Sequence, residues 1–340
     1  MTTATTKTPD HFRVGLLFAV GSALAFGMSG PLARSLMEAG WSPTAAVTAR
    51  LAGGAIAMAG FATIVKPGWV REAMQHAKTV VAYGLIPIAG AQLCYYNAVS
   101  HLSVAVALLL EYTAPVLVVG WLWATTRRRP TNLTLAGGTL AIAGIMLVLG
   151  VFQSRFSGGH INLTGVIWAL AAAICAACYF MMSDEVAADG TGLNSITLAA
   201  GGLIVGSVAV GLLGVSGVMP LVFTTNDAIL AGATMSWIVP VIALAVIPTA
   251  IAYTLGILGI ARLRPRFASL VGLAEVLFAV ILAWALVGEA ISVAQAVGGA
   301  VVLLGLALAR QGDRTEMVAQ ATWPDTPLDE RPSGQTVGRG

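Results

Sequence analysis

The sequence predicts an all-α membrane protein: ten transmembrane helices arranged as two inverted five-helix repeats, with both termini cytoplasmic. Three observations carry this prediction. First, 57% of the 340 residues are hydrophobic and only 10% are charged, whereas a soluble domain coats itself with about 25% charged residues. Second, apolar runs of the roughly 20 residues that a helix needs to cross about 30 Å of hydrocarbon recur almost without interruption. A membrane β-barrel shows short alternating segments instead. Third, residues 80–150 lie over residues 241–311 at a constant offset of 161 with no gap. Ile86-Pro87 falls on Ile247-Pro248, Trp123-Ala124 on Trp284-Ala285, Gly137-Gly138 on Gly298-Gly299, and Gly144 on Gly305. An Ile-Pro pair, a Trp and three glycines in register mark an internal duplication.

The spans follow in order. The first, 13–34, opens with an apolar run that is long and lacks a cleavage site, so it reads as a true span and not a removable leader. The second covers 44–65, the third 79–99, the fourth 103–125 and the fifth 133–151. The sixth covers 162–183 and the seventh 194–215. After it, Pro220, the polar run Thr224-Thr225-Asn226-Asp227 and Pro240 break the hydrophobic pattern, and this stretch reads as a long outer loop feeding an eighth span at 235–260. The ninth covers 266–287 and the tenth 290–309. Residues 13–151 therefore form the first repeat, 152–161 an outer linker and 162–310 the second repeat. Residues 1–12 are Thr-rich and 311–340 are polar with several Pro and Gly, so both ends are expected to be disordered, the latter as a cytoplasmic tail.

Orientation follows from lysine and arginine in the short loops. With the N-terminus inside, the inner segments hold Lys7 and Arg13, Lys66, Arg71 and Lys78, Arg127 to Arg129, and Arg262, Arg264 and Arg266, and the tail adds four arginines. The outer loops hold Arg34 and Arg155. The offset of 161 carries the third, fourth and fifth spans onto the eighth, ninth and tenth, a separation of five passes. Five is odd, so the copies are inverted. The charges agree: the connection around His101 is bare and outside, while its counterpart around Arg262 to Arg266 is basic and inside.

Inverted repeats are the mark of secondary transporters, with the substrate near the bilayer midplane between the halves. No phosphate loop of the G-x-x-x-x-G-K-[ST] type is present, so uphill movement must draw on a gradient or an exchange. Nucleic acid is excluded as a partner and no cofactor is called for. Cys175 and Cys178 have metal-like spacing, but no second Cys or His pair accompanies them, and on a helix i and i+3 share a packing face.

Charged residues inside spans are costly and are functional candidates by default. Three stand out: Arg50, Glu111 and Glu275. Arg50 is open to a coupling role or to a structural one, by snorkelling or helix-fixing ion pairing. Glu111 lies in Glu111-Tyr112-Thr113-Ala114-Pro115, where Pro115 has no N–H to give the carbonyl one turn back, so a carboxylate, a phenol and a loosened backbone come together. Glu275 aligns with Ala114, three residues out of register with Glu111, which keeps the two on related helix faces. Such a carboxylate pair suits an ammonium group or protons. Phosphorylated cargo would call for Lys or Arg in the central spans, and none lies within the spans between 79 and 260. Gln92, Tyr95, Trp168 and Tyr253 supply candidate hydrogen bonds and stacking, against the alternative that aromatics near span ends belong to the interfacial belt. Gly137, Gly144, Gly298 and Gly305, in pairs two turns apart, read as close helix packing.

The run Ser103-Val104-Ala105-Val106-Ala107-Leu108-Leu109-Leu110-Glu111-Tyr112-Thr113-Ala114-Pro115-Val116 resembles the fourth-helix signature of the EamA branch of the drug/metabolite transporter superfamily. Arg50 matches an arginine common in its second helix, Glu275-Val276 resembles the Glu-Pro step of its ninth, Gly288-Glu289 the Gly-Glu step at that helix's end, and Gln295 to Gly305 the pattern of its tenth. Val276 departs from the family's proline, which puts a kink there in question, and the first half has Arg127-Arg128-Arg129 in place of a Gly-Glu step. The resemblance covers about residues 14–310. It implies a carrier in the bacterial inner membrane, commonly an exporter of amino acids or related metabolites, and the Glu111-Tyr112 pair is similar to that of threonine/homoserine exporters. The expectation is an alternating-access carrier of a small zwitterion, coupled to protons or another ion or running by exchange, with a homodimer left open. The alternatives are efflux of lipophilic cations through a pocket with Met28, Met181 and Met182, a membrane-embedded enzyme, for which the loop-bound histidines offer no site, and a passive channel.

Overall fold

A computed structural model describes residues 9–127, 129–149, 162–188, 193–252, 254–255 and 265–321. The chain is built of helices: α1 (Pro9–Gly27), α2 (Ser29–Glu38), α3 (Pro43–Val65), α4 (Trp69–Gln75), α5 (Ala77–Tyr83), a π-helical turn π1 (Gly84–Gly90), α6 (Ala91–Val99), α7 (Val104–Glu111), α8 (Ala114–Thr126) and α9 (Asn132–Val148). Then come α10 (Leu163–Ala188), α11 (Ser195–Val215), a hairpin of β1 (Ala228–Leu230) and β2 (Ala233–Met235), α12 (Ile238–Ala245), a second π turn π2 (Val246–Ile251), α13 (Pro265–Val287) and α14 (Val293–Ala321). Five helical stretches are long and apolar enough to cross a membrane: Arg13–Glu38, Pro43–Val65, Ala77–Val99, Val104–Thr125 and Ser195–Val215. Shorter apolar helices cover Asn132–Val148, Leu163–Tyr179, Ile238–Ile251, Ala274–Val287 and Val293–Ala309.

The helices start where side-chain oxygens can take the place of missing carbonyl partners. Ser42 accepts from the Ala45 N–H, Ser103 from Val106, Thr131 from Thr134 and Asn194 from Ile196, and each such cap contributes about 1 kcal/mol. The two π turns fall on the duplicated Ile-Pro steps: Pro87 lies inside π1 and Pro248 inside π2. Proline cannot donate the bond that would close an α-helical turn, and a widened turn absorbs the defect.

The glycines anticipated as packing residues join α9 to α14. A Cβ at Gly137 would meet the Gly305 carbonyl at 2.5 Å, and one at Gly305 the Gly137 carbonyl at 2.6 Å. Gly144 and Gly298 pair the same way, at 2.8 and 2.9 Å. Each contact joins the first glycine of one copy to the second of the other. That reciprocity is what a two-fold relation between oppositely directed copies produces, and it fits the two-repeat architecture.

One end of the bundle gathers four chain connections. Arg34 Nε lies 2.8 Å from Glu38 Oε1 and 3.9 Å from Glu289 Oε1, while its other nitrogen donates to the Val99 carbonyl at 2.7 Å. Glu289 Oε2 accepts from the Val104 N–H at 2.9 Å. Burial pushes the Glu289 carboxyl above the ordinary range, against the pull of the Val104 N–H and Arg34. At the same end Trp41 meets Phe223 edge to face and packs at a tilt on Trp237, its indole N–H bonds the Thr224 carbonyl, and the hairpin donates from Ala231 N to the Leu286 carbonyl. The opposite end of α3 carries another tie: Lys66 pairs with Glu72, which accepts from the Asn194 N–H and the Thr197 hydroxyl, both at 2.8 Å.

Several elements depart from the sequence reading. The first span is broken at Met28, between α1 and α2, and the fourth at Tyr112-Thr113, between α7 and α8. α4 and the β-hairpin were not anticipated, and the hairpin qualifies the all-α expectation. Residues 311–321, expected as the start of a disordered tail, continue α14, because arginine, glutamine, glutamate, methionine and alanine favour helix even where they are too polar for lipid. Gly312 there is buried against Thr131 and Thr134. At the other terminus α1 begins at Pro9, inside the stretch expected to be unstructured. Tyr253 and the outer linker at 152–161 lie outside the described residues.

Candidate functional site

Three of the polar residues singled out in the sequence share one depth. Arg50 lies seven residues after Pro43 in α3, Gln92 seven before Val99 in α6, and Glu111 seven after Val104 in α7. At 1.5 Å per residue each is about 10 Å from the end that gathers Arg34 and Glu289. They form a polar layer within an apolar bundle.

Arg50 is 4% exposed, so it does not snorkel. Its NH1 donates to Ser29 Oγ and Gln92 Oε1, both at 2.5 Å, and to the Tyr96 hydroxyl at 3.2 Å. Its NH2 makes a longer bond, 3.4 Å, to the Pro248 carbonyl in π2. The Tyr96 ring sits 5.8 Å from the guanidinium carbon, within cation–π range. These partners come from both repeats and from α2, α6 and π2. Three elements thus fix one cation carried by a fourth, α3.

Glu111 and Glu275 are both partly buried. Tyr112, in the break between α7 and α8, donates its hydroxyl to Glu275 Oε2 at 2.6 Å. The break forms because Pro115 sits in the first turn of α8, and the Thr113 N–H and hydroxyl turn back to the Leu110 carbonyl at 3.1 and 2.7 Å. α13 instead runs unbroken through Val276. The repeats therefore offer their acids differently, Glu111 at a helix end and Glu275 in mid-helix.

Two close contacts flank the arginine cluster, the first of them toward the helix of Glu275. A Cβ at Gly27 would meet the backbone N of Ala279 at 2.9 Å, one turn along α13 from Glu275, and Ser29, two residues on, holds Arg50. A Cβ at Gly30 would meet the Tyr95 hydroxyl at 2.6 Å, and Tyr95 packs on Tyr96 with ring centroids 5.7 Å apart. Tyr95 is therefore a buried wall of the layer. A cavity opens beside Arg50 and Gln92, lined also by Pro87, Tyr179, Leu203 and Thr249. Leu203 lies eight residues into α11, whose first residues bond Glu72, so the cavity extends from Arg50 toward the Lys66–Glu72 end.

Trp168 packs half-buried against the apolar core and does not line this cavity. Ser29 and Thr249 do take part, and the sequence reading passed over both. Thr249 directly follows the duplicated Ile-Pro step, and Ser29 precedes Pro31 in a Gly-rich turn; these neighbours were the available signal. Among the described residues no group of His, Cys, Asp or Glu is arranged to hold a metal ion.

A family model described as "EamA-like transporter family" matches residues 13–150 and 163–311. The threonine/homoserine exporter RhtA of Salmonella typhimurium strain LT2 is 29% identical over 282 residues, 82% of this chain and 84% of that protein. The exporter of the same name from Escherichia coli K12 is 28% identical over 279 residues, 81% and 83% of the two chains. A solved crystal structure with 22% identity matches 89% of this chain and 98% of its own at a TM-score of 0.59, a likeness of fold.

Proposed function

The chain belongs to the EamA-like transporter family, a family of transporters and not enzymes, and from that premise we propose that it exports small amino acids across the bacterial inner membrane by alternating access. Ten spans cross the bilayer as two inverted five-helix repeats, with both termini cytoplasmic. The observation that carries the substrate class is the meeting of Tyr112 with Glu275 across the two repeats, beside Glu111 at a helix break. Two carboxylates in a hydrophobic bundle suit the ammonium group of a zwitterion, and a phenol that moves with one repeat while bonding the other can report cargo binding to both. The relatives at 29% and 28% identity, both threonine/homoserine exporters, support the same reading.

The tied end, closed by Arg34, Glu289 and the loop around Trp41, is the outer one in this reading, and the cavity reaches from Arg50 toward the inner end. The conformation is closed outward. Transport by exchange between two such states needs no nucleotide, and protons or another ion can share the acidic pair with the cargo.

Counterflow in proteoliposomes tests the reading. Purified protein preloaded with unlabelled L-threonine or L-homoserine is expected to accumulate the labelled amino acid transiently, and Glu111→Gln or Glu275→Gln to reduce the rate at least tenfold. Counterflow of lipophilic cations without amino acids would establish the efflux alternative, and saturation-free flux with unitary currents a channel. Unimpaired transport by both glutamine variants would remove the acidic pair from the mechanism.

A further inference from the structure

We propose that Tyr179, closing on Tyr83, is the gate of the cavity on its Lys66–Glu72 side, a single-leaf aromatic gate that admits a cargo with a small side chain and retards a bulky one. This rests on the reading of that cavity as the transport route and assigns the residue that controls entry to it.

The cavity needs such a gate. It holds about 50 Å³, whereas sites for small molecules run from roughly 300 Å³ upward, so a cargo enters only when a wall gives way. Most of the wall is pinned. Arg50 is held by Ser29, Gln92 and Tyr96. Thr249 lies so close to Gly54 that a Cβ there would collide with the threonine methyl group. Pro87 and Ile88 belong to π1, which α11 meets at glycines: a Cβ at Gly202 would meet Ile88 Cδ1 at 2.7 Å, and one at Gly206 the Gly84 carbonyl at 3.1 Å. Helices packed this closely do not yield to an entering molecule.

The other end of the cavity is built differently. Tyr83 lies nine residues before Gln92, roughly 13 Å toward the Lys66–Glu72 end at 1.5 Å per residue. Tyr179 of α10 meets it with ring centroids 5.7 Å apart and planes at 45°, and both rings line the cavity. Their surroundings are unequal. Tyr83 is 7% exposed, with its ring against α11, where a Cβ at Gly202 would meet Cδ1 at 3.3 Å. Tyr179 is 37% exposed, so its ring has space to turn into. One turn back along α10, Cys175 packs on π1, where a Cβ at Gly90 would meet its sulfur at 2.9 Å. That contact anchors α10 beside the ring, so Tyr179 swings from a fixed stem while Tyr83 stays in place.

An aromatic pair suits this task. Tilted rings attract one another weakly, which favours closure without locking it, and a side-chain rotation is far faster than the rearrangement of whole helices. Because one leaf moves, the opening is limited to the swing of one ring. A short hydroxylated or aliphatic side chain passes that opening, whereas an aromatic one meets both tyrosines.

Access is tested without reference to the cargo. In a background where Cys94, Cys175 and Cys178 are replaced by serine, Leu203→Cys places a thiol on the cavity wall. Its reaction with a polar methanethiosulfonate, in purified full-length protein in detergent, is expected to quicken at least tenfold when Tyr179→Ala is added. Ile174→Ala, which trims an exposed side chain of the same helix outside the cavity wall, is expected to leave the rate unchanged. Selection is read in proteoliposome counterflow. The unmodified protein is expected to carry L-threonine at least tenfold faster than L-phenylalanine at equal concentration, and Tyr179→Ala to narrow that ratio at least fivefold. An unchanged labelling rate in Tyr179→Ala, or the same quickening in Ile174→Ala, overturns the proposal while amino-acid counterflow stands. Equal carriage of threonine and phenylalanine by the unmodified protein, which needs no variant to fold, overturns it as well. Absence of amino-acid counterflow in the unmodified protein overturns the functional reading instead, and the labelling rates alone then decide the gate.

Discussion

At Gly305 a single methyl group decides whether two helices meet. A Cβ there would lie 2.5 Å from the Ala141 N and 2.6 Å from the Gly137 carbonyl, both backbone atoms that cannot turn aside. Gly305→Ala is therefore expected to force α14 away from α9 and lower stability by about 1–3 kcal/mol, read as a fall in thermal unfolding temperature in detergent. Gly120→Ala is the control: nothing lies within 4 Å of its added carbon, and alanine gains up to about 1 kcal/mol over glycine in a helix. An equal fall in both variants would detach the helix pair from stability. Much of this was legible, because glycines two turns apart on one face, repeated 161 residues later, have few readings other than close packing. The site was legible by charge alone. Arg50, Glu111 and Glu275 stood out because ionisable groups are rare in lipid, whereas Ser29 and Thr249 did not, since small hydroxyls in helices commonly bond their own backbone. That Tyr112 bonds Glu275, 163 positions away, is a matter of tertiary geometry that no spacing encodes.

Among the elements, α4 is held by one acid. Burial of Glu72 works against its ionisation, but the Lys66 ammonium and the bonds from Asn194 N–H and Thr197 outweigh it and hold the carboxyl below its ordinary value. The sign of the pH effect follows. A carboxyl lowered in the folded state stabilises it fully above the ordinary value of 4.5 and loses that contribution as pH falls through the lowered one. Hydrogen exchange of the 69–75 amides is accordingly expected to speed up below about pH 4.5 relative to intrinsic rates, and Glu72→Gln to show fast exchange already at neutral pH. Identical protection in the two proteins at pH 7 would discount the tie. α4 itself escaped the sequence reading because seven residues with three charged or polar side chains give no hydrophobic period to read. The long spans were found within a few residues, since lipid demands a length that composition displays. The breaks at Met28 and Tyr112-Thr113 were harder: each precedes a proline at Pro31 or Pro115, but so do many bends, and α13 shows that the matching position in the other copy needs no break.

For the whole molecule, orientation is the claim on which inward and outward depend. Eighteen lysines and arginines are available; fifteen fall in the segments assigned inside, Arg50 lies within a span, and Arg34 and Arg155 remain outside. Of these two, Arg34 is matched by Glu38 and Glu289, so the outer end bears even less free positive charge than the count suggests. In the proposed orientation, with basic loops retained in the cytoplasm, the Arg34–Glu289 end lies outside. Single cysteines test this in a background where Cys94, Cys175 and Cys178 are replaced by serine. Thr225 is exposed in the loop beside Trp41, and Gln75 is exposed at the end of α4. In intact cells Thr225→Cys is expected to react with a membrane-impermeant maleimide, and Gln75→Cys only after permeabilisation. The reverse labelling would turn the molecule over, making the closed end cytoplasmic and the cavity outward-facing, while leaving the glycine pairing of α9 with α14 untouched. Labelling of both sites in intact cells would be the more damaging result, because α3 alone separates the two connections that carry the tied ends, and a largely apolar helix of 23 residues with its ends on one side of the membrane does not cross it.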